Sequence, residues 1–322
     1  MSQKLTNPAY GAHLGAYAGI PSFMRRPATR ELEGVDVAIV GVPFDSGAIS
    51  FRSGARLGPR RIRELSLIIW GYNPVLRVAP LDVLSVVDYG DVAVDQVDIA
   101  ATMQAITAET GQVVQQNVTV VALGGDHSIT LPLLRAHAQR YGPLALVHFD
   151  SHCDTEVGGY QHGTPFRHAV SEGLIDTEAF VQVGIRGPLF GGDEVEDSRR
   201  LGARVLTIDD CFEQGIPTVI QTIRQVVGDR PAYVSLDIDA VDPAYAPGTG
   251  TPEVGGFNSY QIVQLVRGLQ GLHLVGFDLV EVSPPYDSAD ITAILAANLV
   301  FEFLSVLAAN RQGQRNRPAA GA

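Results

Sequence analysis

Short apolar runs rich in Val, Ile and Leu recur from residue 35 onward, separated by longer stretches with helical spacing. The runs 35–42, 83–87, 118–123, 144–149, 180–185, 203–207, 232–238 and 273–279 are nearly continuous rather than alternating, as expected of strands covered on both faces. Helices are predicted between them over 99–115, 128–139 (opened by a Ser128 cap), 217–227, 259–269 and 291–307. This alternation predicts one α/β/α domain on a mainly parallel sheet. Residues 1–34, rich in Pro, Gly and Arg and without a period, read as an irregular arm. Residues 35–312 then form the single domain and 313–322 a flexible tail.

Composition narrows the class. A chain of 322 residues, 46% hydrophobic and 18% charged, can bury a sizeable core. Its net charge of −12 gives no electrostatic footprint for a phosphate backbone, so no nucleic-acid partner is expected. Residues 1–15 show no basic stretch followed by an apolar one, and runs such as 118–123 are too short to cross a bilayer. Two cysteines make no disulfide framework. The expectation is a soluble, cytoplasmic protein with no membrane partner.

In parallel sheets ligands collect outside the carboxyl ends of the strands, and three such ends carry acids and histidines. Asp126 and His127 follow the run 118–123; His148, Asp150, His152 and Asp154 follow or end 144–149; Asp237, Asp239 and Asp242 end 232–238. Residues two apart in extended chain face the same way, so Asp150, His152 and Asp154 can converge, as can Asp237 with Asp239. Four carboxylates packed together repel one another unless cations intervene. With His127 and His152 they make a shell for two divalent ions, four negative ligands balancing four positive charges. An oxygen-rich shell with two imidazoles suits Mn²⁺. Two ions ~3.5–4 Å apart can ready a water for attack near neutral pH. His148 reads as a hydrogen-bonded core histidine, Asp126 as a ligand or a ligand's support, and Asp242, before Pro243, as turn-forming.

The segments Gly124-Gly-Asp-His-Ser128, Asp150-x-His-x-Asp154 and Ser235-x-Asp-x-Asp-x-x-Asp-Pro243 resemble the three signature motifs of the ureohydrolase family. That family comprises arginases, agmatinases, guanidinobutyrases, guanidinopropionases and proclavaminate amidinohydrolase. The stretches 41–47, 54–61, 247–252 and 281–285 resemble its other loops in the same order. The resemblance implies a three-layer α/β/α sandwich, often a trimer or hexamer, that cleaves a guanidino C–N bond to urea and an amine. It implies His127, Asp150, His152, Asp154, Asp237 and Asp239 as metal ligands, with Asp150 and Asp237 bridging the ions. It further implies Glu281 as the group holding the guanidinium, His162 as a proton shuttle, and Asp239 as a carrier of the proton to the leaving nitrogen.

The substrate tail is read from fewer residues. Segments 18–25, 248–256 and 271–285 resemble the guanidinobutyrase and guanidinopropionase branch, whose substrates carry a carboxylate. Relatives acting on such substrates tend to have Asn two residues after the second motif, where this chain has Glu156 in a loop without Arg or Lys. A carboxylate near Glu156 is repelled and a cation favoured, which puts agmatine first. Guanidine, an alkylguanidine or a biguanide such as metformin also fits a short acidic loop. The second motif departs from the family's usual Asp-Ala-His at Ser151 and carries Cys153 between two ligands; either can tune the metal, including toward Ni²⁺. Two readings of other classes stay open: a non-catalytic, metal-binding paralogue or partner subunit of a hetero-oligomer, and a deacetylase with one zinc.

Overall fold

The computed structural model describes residues 15–188 and 191–315. Eight strands form one sheet: β1 (Val37–Val42), β2 (Val86–Asp91), β3 (Thr119–Gly124), β4 (Leu144–Phe149), β5 (Ile175–Ile185), β6 (Arg204–Thr207), β7 (Ala232–Asp237) and β8 (Leu274–Val280). Every pairing is parallel, in the order β2-β1-β3-β8-β7-β4-β5-β6. The helices are α1 (Gly58–Ser66), α2 (Pro80–Val83), α3 (Ile99–Gln115), α4 (Thr130–Tyr141), α5 (Pro165–Ser171), α6 (Glu194–Arg200), α7 (Ile208–Gln214), α8 (Ile216–Val227), α9 (Ser259–Gly268) and α10 (Ile291–Arg315).

Alternate strand residues feed two cores. Ala145, Val147 and Phe149 of β4 pack with apolar residues of α1 and α7–α10, whereas Leu144 and Leu146 pack with those of α3, α4 and α5. This is the expected three-layer α/β/α sandwich.

Several boundaries differ from the sequence expectation. The run 83–87 begins in the turn α2, because Pro80 at its first position suits a helix start, and the strand itself is Val86–Asp91. Strand β5 starts five residues early, its exposed Thr177 and Glu178 hiding the apolar signal. The helix expected from Ser128 begins instead with a 3₁₀ turn, His127–Ile129, capped by Asp126, whose carboxylate accepts the Ser128 N–H at 3.0 Å. Helices α1, α5, α6 and α7 are short and were not anticipated.

Helix α10 runs to Arg315, so residues 313–315 of the expected tail are helical; 316–322 lie outside the described residues. Contrary to the expectation of short apolar runs only, its span 291–314 is long and apolar enough to cross a membrane. However, 78% of its most apolar stretch is buried inside the protein. Glu302 within it is paired to Arg267 of α9 (2.5 Å) and accepts from Asn73 (2.7 Å). Residues 1–14 of the expected arm lie outside the description. Farther on, Phe23 is fully buried and its N–H donates to Asp88 (2.7 Å), a carboxylate held bidentately by Arg63.

Candidate active site

Four adjacent strands, β3, β8, β7 and β4, end in the residues singled out above. His127 follows β3, Glu281 follows β8, Asp237 and Asp239 end and follow β7, and Asp150, His152 and Asp154 follow β4. All four deliver their side chains to one point on the sheet's carboxyl edge.

His127 Nδ1 lies 3.1 Å from Asp150 Oδ2, 2.8 Å from Asp154 Oδ2 and 3.3 Å from Asp237 Oδ2. It is buried and makes no hydrogen bond to any of them. His152 Nδ1 lies 3.1 Å from Asp239 Oδ2 and 3.5 Å from Asp150 Oδ1. Asp150 thus turns one oxygen toward each histidine. Its Oδ1 also accepts the His152 N–H (2.6 Å), and Asp237 Oδ1 accepts the Asp239 N–H (2.8 Å). Asp154 is held with a positive φ of 51°.

The electrostatics ask for cations. Burial, then Asp239 and Asp150, push Asp237 well above the usual carboxylate range. Burial opposes charging His127, yet Asp154, Asp150 and Asp237 outweigh it and push its pKa well up. An orphaned ring nitrogen facing three carboxylates, beside a second imidazole–carboxylate group sharing Asp150, is a donor set fit for two divalent ions.

Sequence reasoning read His148 as a hydrogen-bonded core histidine but missed the rest of the support beneath this cluster. Gln182, His148, Ser235 and Asp278 are register partners across β5, β4, β7 and β8 and make a buried polar row on one sheet face. Ser235 Oγ donates to Asp278 Oδ1 (2.6 Å), so it accepts from His127 Nε2 (2.8 Å); that tautomer leaves the Nδ1 lone pair aimed at the carboxylates. Tyr233 and Thr130 donate to Asp278 Oδ2. Gln182 Nε2 donates to His148 Nδ1 (3.0 Å), so His148 Nε2 donates to Asp150 Oδ2 (2.7 Å). His148 is therefore a hydrogen-bonded core histidine whose bond orients Asp150. The available signal was a polar residue inside each of four apolar runs.

Glu281, with φ 62°, is buried; its Oε1 accepts the His127 N–H (3.0 Å) and faces His162 Nδ1 at 3.1 Å. Burial opposes charging His162, but its hydrogen bond to Glu281 and that group's charge push the pKa up to about 9. Asp126 is in neither imidazole–carboxylate group: its Oδ1 accepts from the N–H and hydroxyl of Ser128, and its Oδ2 is buried without a hydrogen-bond partner. Asp242 accepts from the N–H groups of Ala244, Gly255 and Gly256, a turn and loop tie. Burial, then Asp150 and Asp154, push the Cys153 thiol up to about 12.

A cavity of about 710 Å³ opens over His152, Asp154, Asp237 and His162. Glu156 lines it, with Oε2 accepting from Gln161 (2.8 Å). Arg167 of α5 and Arg52 bring positive charge to this wall from outside the loop, although Arg167 is spent on the Thr155 and Glu156 carbonyls.

The family model described as "Arginase family" matches residues 35–305. A guanidinopropionase of Pseudomonas aeruginosa is 44% identical, the match covering 96% of this chain and 98% of that protein. A guanidinobutyrase of the same organism is 42% identical over 95% of this chain and 98% of that protein. A solved structure titled a hypothetical agmatinase, from Burkholderia thailandensis, superposes with a TM-score of 0.87 at 46% identity, covering 94% of each chain.

Proposed function

The chain belongs to the arginase family, and from that premise we propose that it hydrolyses a guanidino compound with a cationic tail, agmatine first, to urea and an amine. The observation that carries the reading is the meeting of His127, Asp150, His152, Asp154, Asp237 and Asp239 beneath a cavity that also exposes His162.

Two divalent ions, Mn²⁺ first and Ni²⁺ second, would be held by His127, Asp150, Asp154 and Asp237 on one side and by Asp150, His152, Asp237 and Asp239 on the other. When bound they supply an activated water and positive charge for the developing anion. Glu281 offers the guanidinium a charged hydrogen bond through Oε2, the oxygen not engaged by His127 and His162, and so holds the central carbon over the cluster. Asp239 carries a proton to the leaving nitrogen. His162, protonated up to about pH 9, exchanges a proton with the departing amine or with bulk water.

The tail is read from the wall. Beyond the cluster the cavity carries the carboxylates of Glu156, Glu194, Asp197 and Glu253 against the guanidinium groups of Arg52 and Arg167. This surplus of negative charge favours an ammonium tail over a carboxylate. Among the relatives' names guanidino acids outnumber agmatine, so the cationic tail rests on the wall's charge alone. Residues 35–312 as one catalytic domain, a cytoplasmic location, and assembly as a homotrimer or homohexamer are proposed on the family resemblance.

The test is urea release from agmatine, 4-guanidinobutyrate, 3-guanidinopropionate, arginine, guanidine and an alkylated biguanide, with the protein stripped of metal and resupplied with Mn²⁺ or Ni²⁺. Agmatine should be turned over fastest, and only with metal. Preference for the guanidino acids would overturn the tail, and urea release indifferent to chelation would overturn the mechanism.

A further inference from the structure

The two halves of the cluster are not equally enclosed. The side chain of His127 is 1% exposed, whereas that of His152 is 30% exposed. One side chain crosses from the β4 loop to the β7 loop on the more open half. Ser151 is fully buried; its N–H (3.0 Å) and its hydroxyl (2.7 Å) both donate to Asp239 Oδ1. The same hydroxyl lies 3.1 Å from His152 Nδ1. Asp239 Oδ2 points the other way, 3.1 Å from His152 Nδ1 and 3.2 Å from the Thr251 hydroxyl. Neither Asp150 nor Asp237 has two donors on one oxygen.

We propose that Ser151 is a positioning residue that makes Asp239 a one-oxygen ligand and thereby sets the affinity of the ion held by His152 and Asp239. A carboxylate oxygen has two lone pairs, and the two Ser151 donors occupy both on Oδ1. Only Oδ2 is then presented to a cation. Alanine at this position keeps the N–H but removes the hydroxyl tie on Oδ1, so Asp239 can rotate and Oδ2 is no longer held toward His152. Ser151 makes no hydrogen bond to His127 or Asp154, which would hold the other ion. Loss of the hydroxyl therefore separates the two ions in affinity, a contrast that general destabilisation does not produce.

This inference rests on the two-ion reading above, and the experiment distinguishes the two. Metal-free wild type, Ser151→Ala and Ser151→Cys are titrated with Mn²⁺ by calorimetry, with Co²⁺ absorption spectra recorded in parallel. Cysteine fills the site with a weak donor, so it separates loss of the hydrogen bond from loss of volume. Wild type should bind two ions per chain. Both variants should bind one ion unchanged and the other about tenfold more weakly, with urea release restored by excess Mn²⁺. The Co²⁺ bands should change as Asp239 loses its fixed one-oxygen pose, and thermal unfolding of the metal-free proteins reads the general loss of stability separately. Equal affinities for both ions in all three proteins would refute the role of Ser151 and leave the two-ion reading intact. Fewer than two ions in wild type would remove that reading, and this inference with it.

Discussion

Replacing Ser235 by Ala removes two linked hydrogen bonds: the one that His127 Nε2 donates to Ser235 Oγ (2.8 Å), and the one Ser235 Oγ donates to Asp278 Oδ1 (2.6 Å). All three residues are at most 1% exposed, so water does not readily replace either bond. An orphaned buried N–H costs about 1–3 kcal/mol, and a lost bond to a charged group about 1.5–3 kcal/mol. The sum falls near 3–4 kcal/mol rather than at its upper limit. Tyr233 and Thr130 still hold Asp278 Oδ2, and burial already raises the Asp278 pKa, so the carboxyl can take up a proton. Freed of its anchor, the His127 ring no longer keeps Nδ1 on the carboxylates, and metal affinity should fall about 10–100-fold. Urea denaturation of the metal-free proteins followed by circular dichroism reads the first effect, and Mn²⁺ titration reads the second. A stability change under about 1 kcal/mol together with unchanged Mn²⁺ affinity would mean that the polar row does not hold His127.

Further outcomes follow from the buried titratable groups. Burial holds His137 neutral in α4, with its pKa lowered from 6.5 to about 4, so unfolded chains take up a proton that the fold refuses. Stability should be independent of this group above pH 6.5 and fall by about 3 kcal/mol between there and pH 4. Denaturation of His137→Leu should show a shallower acid slope, and parallel slopes would reject the assignment. For His162, kept protonated up to about pH 9, kcat should decline above that pH, and His162→Asn should be slower with that limb gone. A wild-type kcat that climbs steadily through pH 10 would exclude His162 as the acid. Asp237→Ala should lose bound metal and turnover together, since its Oδ2 lies 3.3 Å from His127 Nδ1 and its Oδ1 accepts the Asp239 N–H; full metal content in that variant would end its role as a ligand.

Much of the fold was legible because strands covered on both faces leave an unbroken apolar run, and the limits of 144–149 and the helix 99–115 coincide with β4 and α3. Helices such as α5 and α6 were not legible, since seven residues give too few turns for a period to emerge. Cap chemistry misled at Ser128: the residue two before it does the capping, and its own hydroxyl donates to that same carboxylate.

The six ligand candidates of the cluster were visible because acids and histidines recur together at three strand ends, where any one pair alone would read as a cap or a turn. Their support, His148 apart, was invisible for a different reason. Gln182, His148, Ser235 and Asp278 are separated by as much as 130 positions in the chain and acquire a common purpose only when β5, β4, β7 and β8 lie side by side in register. Strand order therefore carries information about the site that spacing cannot. It places Ser235, whose Oγ accepts from His127 Nε2, and His148, which donates to Asp150, on the face covered by α4 and α5, where Phe166 packs against both His127 and His148. A one-residue slip of β7 against β4 would turn Ser235 to the opposite core and strand His127 Nε2 without a partner, so correct register and a competent cluster are the same requirement.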